Sequence, residues 1–575
     1  MSKLISGFSK LTKEEKISWL AKEYFNNQEE TIFTLKKYWN IDEKLQHLHD
    51  DFIENTITNY CMPYGVAPNF IINDKEYVIP MVTEESSVVA AASLVAKFWS
   101  TKGGFKAEVI STKKNGQVHF MFAGEKADLD KYFNENKTEL YAATASITRN
   151  MEKRGGGILD IQLVDKTDKL ENYFQLNVTF ETVDSMGANF INSCLEAMAN
   201  KFRNDEIEIV MSILSNYVPE CLVRAEVSCK IEELEGENPQ KFAEKFYQAV
   251  QIAQIEPYRA VTHNKGIMNG IDAVVLATGN DFRAIEAGAH AYASKSGSYK
   301  SLSHCSIDDE IFKFWIEIPL AVGTVGGLTS LHPMAKLSLE MLQKPTAKEL
   351  MQIMATAGLA QNFAALRALT TKGIQHGHMK MHLMNILNQL DANTSEKAAV
   401  EKYFEDKTVS HSAVVSQLDE IRKLPINWVD FLETKKIKEI LTNLKVDENP
   451  IFGKMNAQQM IEHLSFVIQI SNGKVKANYY VSDEKAARRQ PFLETENELQ
   501  IGFRAPVLAE SSLEVKFATK EASIADLLLQ INDFKKHHLE NKIENHPFFG
   551  ELNSEQWKKF HVKHFTHHFK QFDLL

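Results

Sequence analysis

The stretch AEVISTKKNGQVHFMF, residues 107–122, is where the patterning of this chain changes from helical to alternating. Apolar and polar side chains alternate along two segments of it, AEVISTK and GQVHFMF, as they do in strands with one buried face. ILDIQLV (158–164) and YFQLNVTFETV (173–183) continue the alternation, and helical stretches near 127–152 and 188–206 interrupt it. Strands and helices in this order predict a compact α+β unit.

Helical patterns lie on both sides of this unit. Before it, residues 10–60 and 84–99 have apolar side chains at helical spacing, with YVIPMV as a short strand between them. After it, the stretches at 270–293 and 350–370 are helical and rich in Gly and Ala. From about residue 424 the chain is poor in Gly and rich in His, Phe, Lys and Asn, so the tail is predicted to be a separate domain.

Composition narrows the class of protein. The 575 residues are enough for three or four domains, and a formal net charge of −11 argues against a dedicated nucleic-acid binder. Five scattered cysteines without a CxxC pair suit a reducing compartment. The charged N-terminal stretch lacks a signal-peptide pattern, and no apolar run approaches the ~20 residues of a membrane span. The sequence therefore predicts a cytoplasmic protein that binds neither membrane nor nucleic acid.

Five short stretches place polar groups among small or apolar residues. They are TEESSVVAAAS (83–93), DSMGAN (184–189), THNKGIMNG (262–270), TGND (278–281) and GIQHGHMKMH (373–382). Small residues where a strand meets a helix let the backbone approach a phosphate, although the GxGxxG fingerprint is absent. Taken singly, each stretch also fits an ordinary turn, a solvated charge or a packed histidine.

Together these stretches resemble the class II (bacterial-type) 3-hydroxy-3-methylglutaryl-CoA reductases. The resemblance covers roughly residues 1–420 in the family's order, and it is carried by ENTITNYCMPYGVAPNFIINDKEYVIPMVTEESSVVAAAS (54–93), DSMGANF (184–190), ILSN (213–216), RAVTHNKGIMNGIDAVVLATGNDFRAIEAGAHAYA (259–293), VGTVGGLTSLHPMAK (322–336) and GHMKMH (377–382). It implies NAD(P)H-dependent reduction of 3-hydroxy-3-methylglutaryl-CoA to mevalonate and CoA, by two hydride transfers through an aldehyde. A non-redox acyl-CoA binder or thioesterase on the same scaffold is the rival hypothesis.

The resemblance also implies a role for each site residue. Lys265 would stabilise the oxyanion of each reduction, and Asp281 would hold Lys265. Glu85 would donate a proton to the developing alcohol, and His378 would protonate the departing CoA thiolate. The substrate contacts implied are Arg259, Asn269, Ser87 and Asn216. The dinucleotide contacts implied are Asp184, Met186, Gly187 and Asn189.

The sequence departs from the family's usual pattern in three places. Ser86 stands where a proline is common, and Ser185 stands where DAMG has alanine. Before the triplet Gly155–Gly157, NAD-using relatives carry an acidic residue that holds the ribose 2′-hydroxyl, and Thr148 and Arg149 occupy that region here. An arginine attracts a 2′-phosphate, which favours NADPH over the alternative, NADH. Arg149 also fits a plain solvated helix charge.

The family's architecture further implies the domain organisation. Residues 1–108 and 222–374 would form a large helical substrate domain, into which a small non-Rossmann dinucleotide domain, 109–221, is inserted. Residues 375–423 would form a mobile C-terminal flap that carries the histidine. The active site would form at an interface, so the expected assembly is a homodimer or a larger oligomer built from dimers.

The tail, 424–575, carries a second resemblance. NPIFGKMNAQQMIEHLSFVIQ (449–469) and HPFFGELNSEQWKKFHVKHFTHHFKQF (546–572) resemble the DinB/YfiT-like four-helix bundles. The resemblance implies an all-α bundle in which His463, His564 and His568 could hold a divalent metal such as Zn or Ni, with His561 and His567 as rivals. Histidines that merely pack in the bundle are the alternative. The tail could be a metal-dependent transferase-like module or a scaffold for assembly.

Overall fold

The structure is a computed structural model of the chain. It describes residues 4–371 except 235, then 383–405, 407, 409–423, 428–476, 481–495, 497–499, 515–540 and 542–575. The chain divides into two compact units, residues 1–376 and 377–575. Among the residues just given, none of the helices combines the length and the apolar character needed to cross a bilayer.

The expected α+β unit lies within the first unit and is built on a four-stranded antiparallel sheet. In sheet order its strands are Gly157–Asp165, Tyr173–Glu181, Lys114–Phe122 and Ile207–Leu214. The helices Lys126–Glu152 and Ala188–Phe202 share one apolar core with the buried face of these strands. The last strand is absent from the prediction, because only Ile207 of its eight residues is buried and its alternation is correspondingly weak.

A second four-stranded antiparallel sheet supports the rest of this unit. Its strands, in order, are Lys106–Val109, Leu222–Lys230, Ile311–Pro319 and Ser303–Asp308, and a separate hairpin joins Tyr64–Ile72 to Lys75–Val82. The first three residues of AEVISTK, 107–109, therefore belong to a strand of this sheet and not of the α+β unit, and residues 110–113 lie outside the strand. The expectation that the large domain is simply helical was wrong, because that part of the chain contains both helices and sheets.

Helices make up the rest of the regular structure described in this larger part. They are Lys13–Tyr24, Gln28–Lys37, Glu43–Asp50, Val88–Ser100, Pro239–Ile255, Pro257–Ala277, Phe282–Ala293, Leu328–Leu331, Pro333–Met341 and Ala347–Thr370, with short 3₁₀ turns at Phe8–Lys10 and Ile231–Glu233. We call Pro257–Ala277 the Lys265 helix and Phe282–Ala293 the Asp281 helix, after the site residue that each carries or begins after.

The helix Ala347–Thr370 is the centre of the core. Thr346 and Glu349 form a capping box at its start, and almost every residue from 350 to 363 is buried. It packs against the Lys265 helix at a distance that only glycine permits. A Cβ added at Gly270 would lie 2.5 Å from the carbonyl oxygen of Ala357. The Gly- and Ala-rich composition of both helices therefore serves close packing, which fixes the helix that carries Lys265.

The described residues of the second unit form two separate apolar cores. A helical segment at 383–389 and the helices Thr394–Tyr403 and His411–Lys423 share the first. The helices Thr434–Asn443, Ala457–Ser471, Lys520–His537 and Ser554–Gln571 share the second, and the short elements Asp483–Arg489, Gln490–Glu494 and His538–Glu540 lie between them along the chain. A hairpin of Glu544–His546 and Gly550–Leu552 was not expected in an all-α bundle.

Candidate active site

Two donors on one helix converge on a single carboxylate. Lys265 Nζ lies 2.6 Å from Glu85 Oε2, and Asn269 Nδ2 lies 3.2 Å from the same oxygen. Lys265 and Asn269 are four residues apart and so share one face of the Lys265 helix. The Lys265 side chain is 61% exposed and that of Glu85 is 40% exposed. The cluster is therefore open to an incoming substrate.

The turn before the helix Val88–Ser100 presents Glu85 to that cluster. The Glu85 amide donates to Thr83 Oγ1 at 3.2 Å. Ser87 has a positive φ of 76° and caps the helix without a side-chain hydrogen bond to it. A left-handed conformation at a residue other than glycine carries strain that tends to occur at functional sites. The Ser87 hydroxyl makes no capping hydrogen bond to the helix, so it could form a hydrogen bond with a substrate.

Arg259 and Asn216 lie in different surroundings. Arg259 is half-buried in the first turn of the Lys265 helix, and burial lowers the pKa of its guanidinium. Asn216 lines a small pocket together with Met186 of the DSMG turn and with Gly288 of the Asp281 helix. The structure thus places Arg259 on the helix that carries the cluster and Asn216 beside the turn.

The DSMG segment forms a tight turn between the strand Tyr173–Glu181 and the helix Ala188–Phe202. Gly187 has φ 92°, and a Cβ at this position would lie 2.5 Å from the Thr182 side chain. The first amides of the helix follow Gly187 directly, in the geometry that favours a phosphate. Met186, Gly187 and Asn189 therefore lie where a dinucleotide could reach the backbone.

Asp184 has a structural partner within the same chain. Its Oδ1 accepts a hydrogen bond of 2.7 Å from the Ala347 amide, at the start of the central helix. Its carbonyl oxygen accepts a bond of 2.9 Å from the Thr324 amide. Asp184 thus anchors the turn to the larger part of the unit, which the sequence did not indicate.

Asp281 caps the start of the Asp281 helix and forms an ion pair with Arg283. Its carboxylate accepts from the amides of Arg283 and Ala284 at 3.1 and 3.2 Å, and Arg283 Nε lies 3.1 Å away. Burial opposes ionisation, but these hydrogen bonds outweigh it and lower the pKa of Asp281. Among the described residues of this single chain, Lys265 and Asp281 form no ion pair, and their pairing stays a prediction.

Lys114 is a buried cation at this turn that sequence reasoning missed. Its side chain donates to Thr182 Oγ1 and, at 2.9 Å, to the Ser185 carbonyl oxygen, and only 4% of the residue is exposed. The signal was present in the alternation, because Lys114 shares the buried phase of its strand with Gly116 and Val118. A lysine on the buried face of a strand needs hydrogen-bond acceptors for its ammonium, and the turn supplies them.

The remaining residues predicted for the reductase site are Arg149 and His378. Arg149 is exposed in the last turn of the helix Lys126–Glu152, while its neighbour Thr148 is buried, so the arginine is the one that could meet a ligand. His378 falls in 372–382, outside the described residues, and its role stays a prediction.

Three histidines meet in the second unit. One ring nitrogen each from His463, His564 and His568 lies within 4.8 Å of the other two, and the Nε2 atoms of His463 and His564 are 3.1 Å apart. Burial lowers the pKa of His463 to about 4 and holds the pKa values of His564 and His568 well below the ordinary value. The three rings are therefore neutral at physiological pH and hold lone pairs that could bind a cation.

Gln571 settles which nitrogen of His568 carries its proton. Gln571 Nε2 donates to the Phe452 carbonyl oxygen at 2.8 Å, so its Oε1 must be the atom that faces His568 Nδ1 at 2.7 Å. The proton then lies on Nδ1, which leaves Nε2 as the free lone pair. The rivals have other neighbours: His561 Nε2 bonds to Ser471 at 2.9 Å, and His567 packs on Phe452.

An exposed amine–carboxylate cluster lies in the same unit as a strand-to-helix turn that could receive a phosphate, which is the arrangement expected of an oxidoreductase that uses a dinucleotide. The family model for hydroxymethylglutaryl-coenzyme A reductase matches residues 12–383, and the chain belongs to this family. Its activity is that of a hydroxymethylglutaryl-CoA reductase.

Relatives and solved structures agree with this assignment. The 3-hydroxy-3-methylglutaryl-coenzyme A reductase of Archaeoglobus fulgidus is 38% identical over 407 residues, which cover 69% of this chain and 89% of the relative. A probable reductase of Borreliella burgdorferi is 38% identical over 349 residues, covering 60% and 80%. A class II reductase of Streptococcus pneumoniae bound to NADPH in open conformations has 37% identity and a TM-score of 0.54, covering 64% of this chain and 100% of its own.

The tail matches a different family. Residues 434–574 match a family described as a protein of unknown function, DUF1569. The match places the tail in a family of its own, separate from the reductase family, and gives it no function. The likeness to DinB/YfiT bundles stays a prediction.

Proposed function

We propose that the Glu85–Lys265–Asn269 cluster is where the thioester, and then the aldehyde, is reduced. The observation that carries this proposal is the convergence of Lys265 and Asn269 on one oxygen of Glu85. A substrate oxygen that enters between them meets an ammonium and an amide donor, which stabilise the charge that develops on it. A carboxyl 2.6 Å from the ammonium is within reach to pass a proton to the alkoxide.

The other chain residues would hold the substrate and release its thiol. Arg259 suits the substrate carboxylate, because a guanidinium can bind both of its oxygens. Ser87 has a hydroxyl free of helix capping, and Asn216 is the third contact proposed. His378 would protonate the CoA thiolate, so that the thiolate cannot add back to the aldehyde.

NADPH is the proposed reductant, and it supplies hydride when bound. The turn at 182–187 and the amides that follow it fit a pyrophosphate, and exposed Arg149 offers a cation to a 2′-phosphate. The test compares NADPH with NADH as kcat/KM in the wild type and in Arg149→Glu. We expect the variant to lose preference for NADPH, and Lys131→Glu, an exposed position on the same helix, to retain it. An unchanged preference in Arg149→Glu would contradict the assignment.

A homodimer would complete the site. Within one chain Lys265 pairs with Glu85 and Asp281 pairs with Arg283, so a pair between Lys265 and Asp281 would have to form between two copies of the chain. Apolar side chains are also exposed at the start of the Lys265 helix and just before it, where Ile255, Tyr258 and Val261 are 79%, 87% and 53% exposed. Light scattering across a dilution series, with activity measured in parallel, tests whether dissociation abolishes turnover.

A single assay separates this function from its rival. A reductase oxidises two molecules of nicotinamide cofactor for each CoA released, as two hydrides reach one acyl carbon. A thioesterase releases CoA without any loss of nicotinamide absorbance. CoA release without nicotinamide oxidation would refute the proposed function.

For the second unit we propose a divalent-metal site at His463, His564 and His568. The donors fit Zn or Ni, because three neutral imidazoles converge and Gln571 leaves the Nε2 lone pair of His568 free. A metal held by three protein ligands supplies Lewis acidity at an open position. Calorimetric titration of the full chain with Zn should show one strong site that His568→Ala removes and His567→Ala retains. Gln571→Leu should weaken it by about 10- to 100-fold.

A further inference from the structure

Lys114 occupies a position that an amine rarely tolerates. The residue is 4% exposed, and burial lowers the pKa of its ammonium, although nearby Glu181 and Asp184 favour its charged form. A buried cation persists only where its donors are satisfied and its charge is compensated. The turn satisfies it, through the Thr182 hydroxyl and the Ser185 carbonyl oxygen.

Those two contacts span the turn from its first residue to its middle. Thr182 follows the strand Tyr173–Glu181, and Ser185 lies two residues before Gly187. Thr182 Oγ1 also donates to the Ser185 carbonyl oxygen at 2.6 Å, so one ammonium closes a small ring with both groups. Lys114 therefore links the first residue of the segment 182–187 to Ser185 in its middle.

Charge gives Lys114 a second effect. Two carboxylates, Glu181 and Asp184, belong to a segment whose proposed ligand carries phosphates. Unscreened, they would repel a pyrophosphate at the start of the helix Ala188–Phe202. A cation buried beside them offsets part of that repulsion at a place that solvent ions cannot reach.

The same turn is tied to the neighbourhood of Asp281. The Thr324 amide donates to the Asp184 carbonyl oxygen, and the preceding Gly323 amide donates to Asn280 Oδ1 at 2.9 Å. Asn280 immediately precedes Asp281. A shift of the turn would be passed through these contacts to the start of the Asp281 helix.

We propose that Lys114 is a positioning residue for dinucleotide binding, which sets the conformation of the 182–187 turn and offsets the negative charge beside it. This inference rests on the proposed use of NADPH at that turn. It assigns Lys114 no contact with the cofactor or the substrate.

The test compares Lys114→Met with Lys113→Met. Lys113 is exposed and directly precedes the strand that begins at Lys114. The Kd for NADPH is measured by nicotinamide fluorescence, and KM values are measured for NADPH and for 3-hydroxy-3-methylglutaryl-CoA. In Lys114→Met, we expect the Kd and KM for NADPH to rise about tenfold, equivalent to about 1.4 kcal/mol, and the KM for the acyl-CoA to change less than twofold. Lys113→Met should match the wild type.

A milder variant guards against misfolding. Thr182→Val keeps the volume of the side chain and removes the hydroxyl that accepts from Lys114, so it should raise the Kd for NADPH in the same direction by a smaller factor. An unchanged Kd for NADPH in both variants, or equal rises in both KM values, overturns the inference. A wild type that binds no nicotinamide dinucleotide overturns the proposed cofactor as well, which distinguishes the two failures.

Discussion

Lys265 Nζ lies 2.6 Å from Glu85 Oε2 across a separation of 180 residues. The amine comes from the middle of a helix whose close packing fixes its position, and the carboxylate comes from a strained turn that ends at Ser87. The pair is exposed, so it adds little to stability. The close approach of Lys265 to Glu85 is therefore better explained by a role in catalysis than by a contribution to the stability of the fold.

The first prediction concerns Lys265. Lys265→Ala should lower the rate of both thioester and free-aldehyde reduction by about 100- to 1,000-fold, because both steps develop an oxyanion. The melting temperature should stay that of the wild type, as the side chain is 61% exposed. Steady-state rates with each substrate check this, with the exposed Lys131→Ala as control. Aldehyde reduction at a near wild-type rate would remove Lys265 from the oxyanion role.

His378 should separate the two half-reactions. His378→Gln is expected to depress thioester reduction far more than aldehyde reduction, because only the former releases a thiolate. His376→Gln, two residues away in the same stretch, serves as the matched control. Equal losses on both substrates would show that the histidine has another task.

A carboxyl pair between two helices should make stability depend on pH. Burial, and then the contact with Glu286, raise the pKa of Asp272 from 3.8 to about 8. The folded protein therefore keeps a proton that the unfolded chain loses above pH 4. Stability from this group is complete below pH 4 and is lost as the pH rises through 8.

Asp272→Asn should remove that dependence. Relative to the wild type, the variant should gain melting temperature as the pH is raised from 5 to 8, by about 2–4 °C for each kcal/mol recovered. Thermal melts at several pH values check this, with the exposed Asp205→Asn as control. A constant difference between variant and wild type across the range would show that the pair holds no extra proton.

The reductase should not need the tail for its chemistry. Every proposed catalytic residue precedes 380, and the core shared by 383–389, Thr394–Tyr403 and His411–Lys423 is separate from the core of the later helices. A chain of residues 1–423 should therefore still dimerise and oxidise NADPH. Light scattering and a nicotinamide assay check this. A folded, dimeric but inactive truncation would show that the tail orders the segment that carries His378.

Local periodicity made much of this structure predictable. The strands Lys114–Phe122 and Tyr173–Glu181 and the helix Val88–Ser100 follow from spacing, because a side chain's face depends on its near neighbours. The same rule places Lys265 and Asn269 on one helix face. The likeness of the motifs to a known family named the activity in advance, and the family match confirms it.

Partners distant in the chain were decided only by the tertiary structure. An alternating strand fits any sheet, so nothing local sends Lys106–Val109 to Leu222–Lys230 while Lys114–Phe122 joins the other sheet. The contacts of Lys114 with the 182–187 turn are of this kind, as is the meeting of His463 with His564, 101 residues later. The sequence by itself determined which groups were present and which local faces they occupy. Packing of the whole chain decided which of those groups touch, because such contacts form only when distant segments bury a common core.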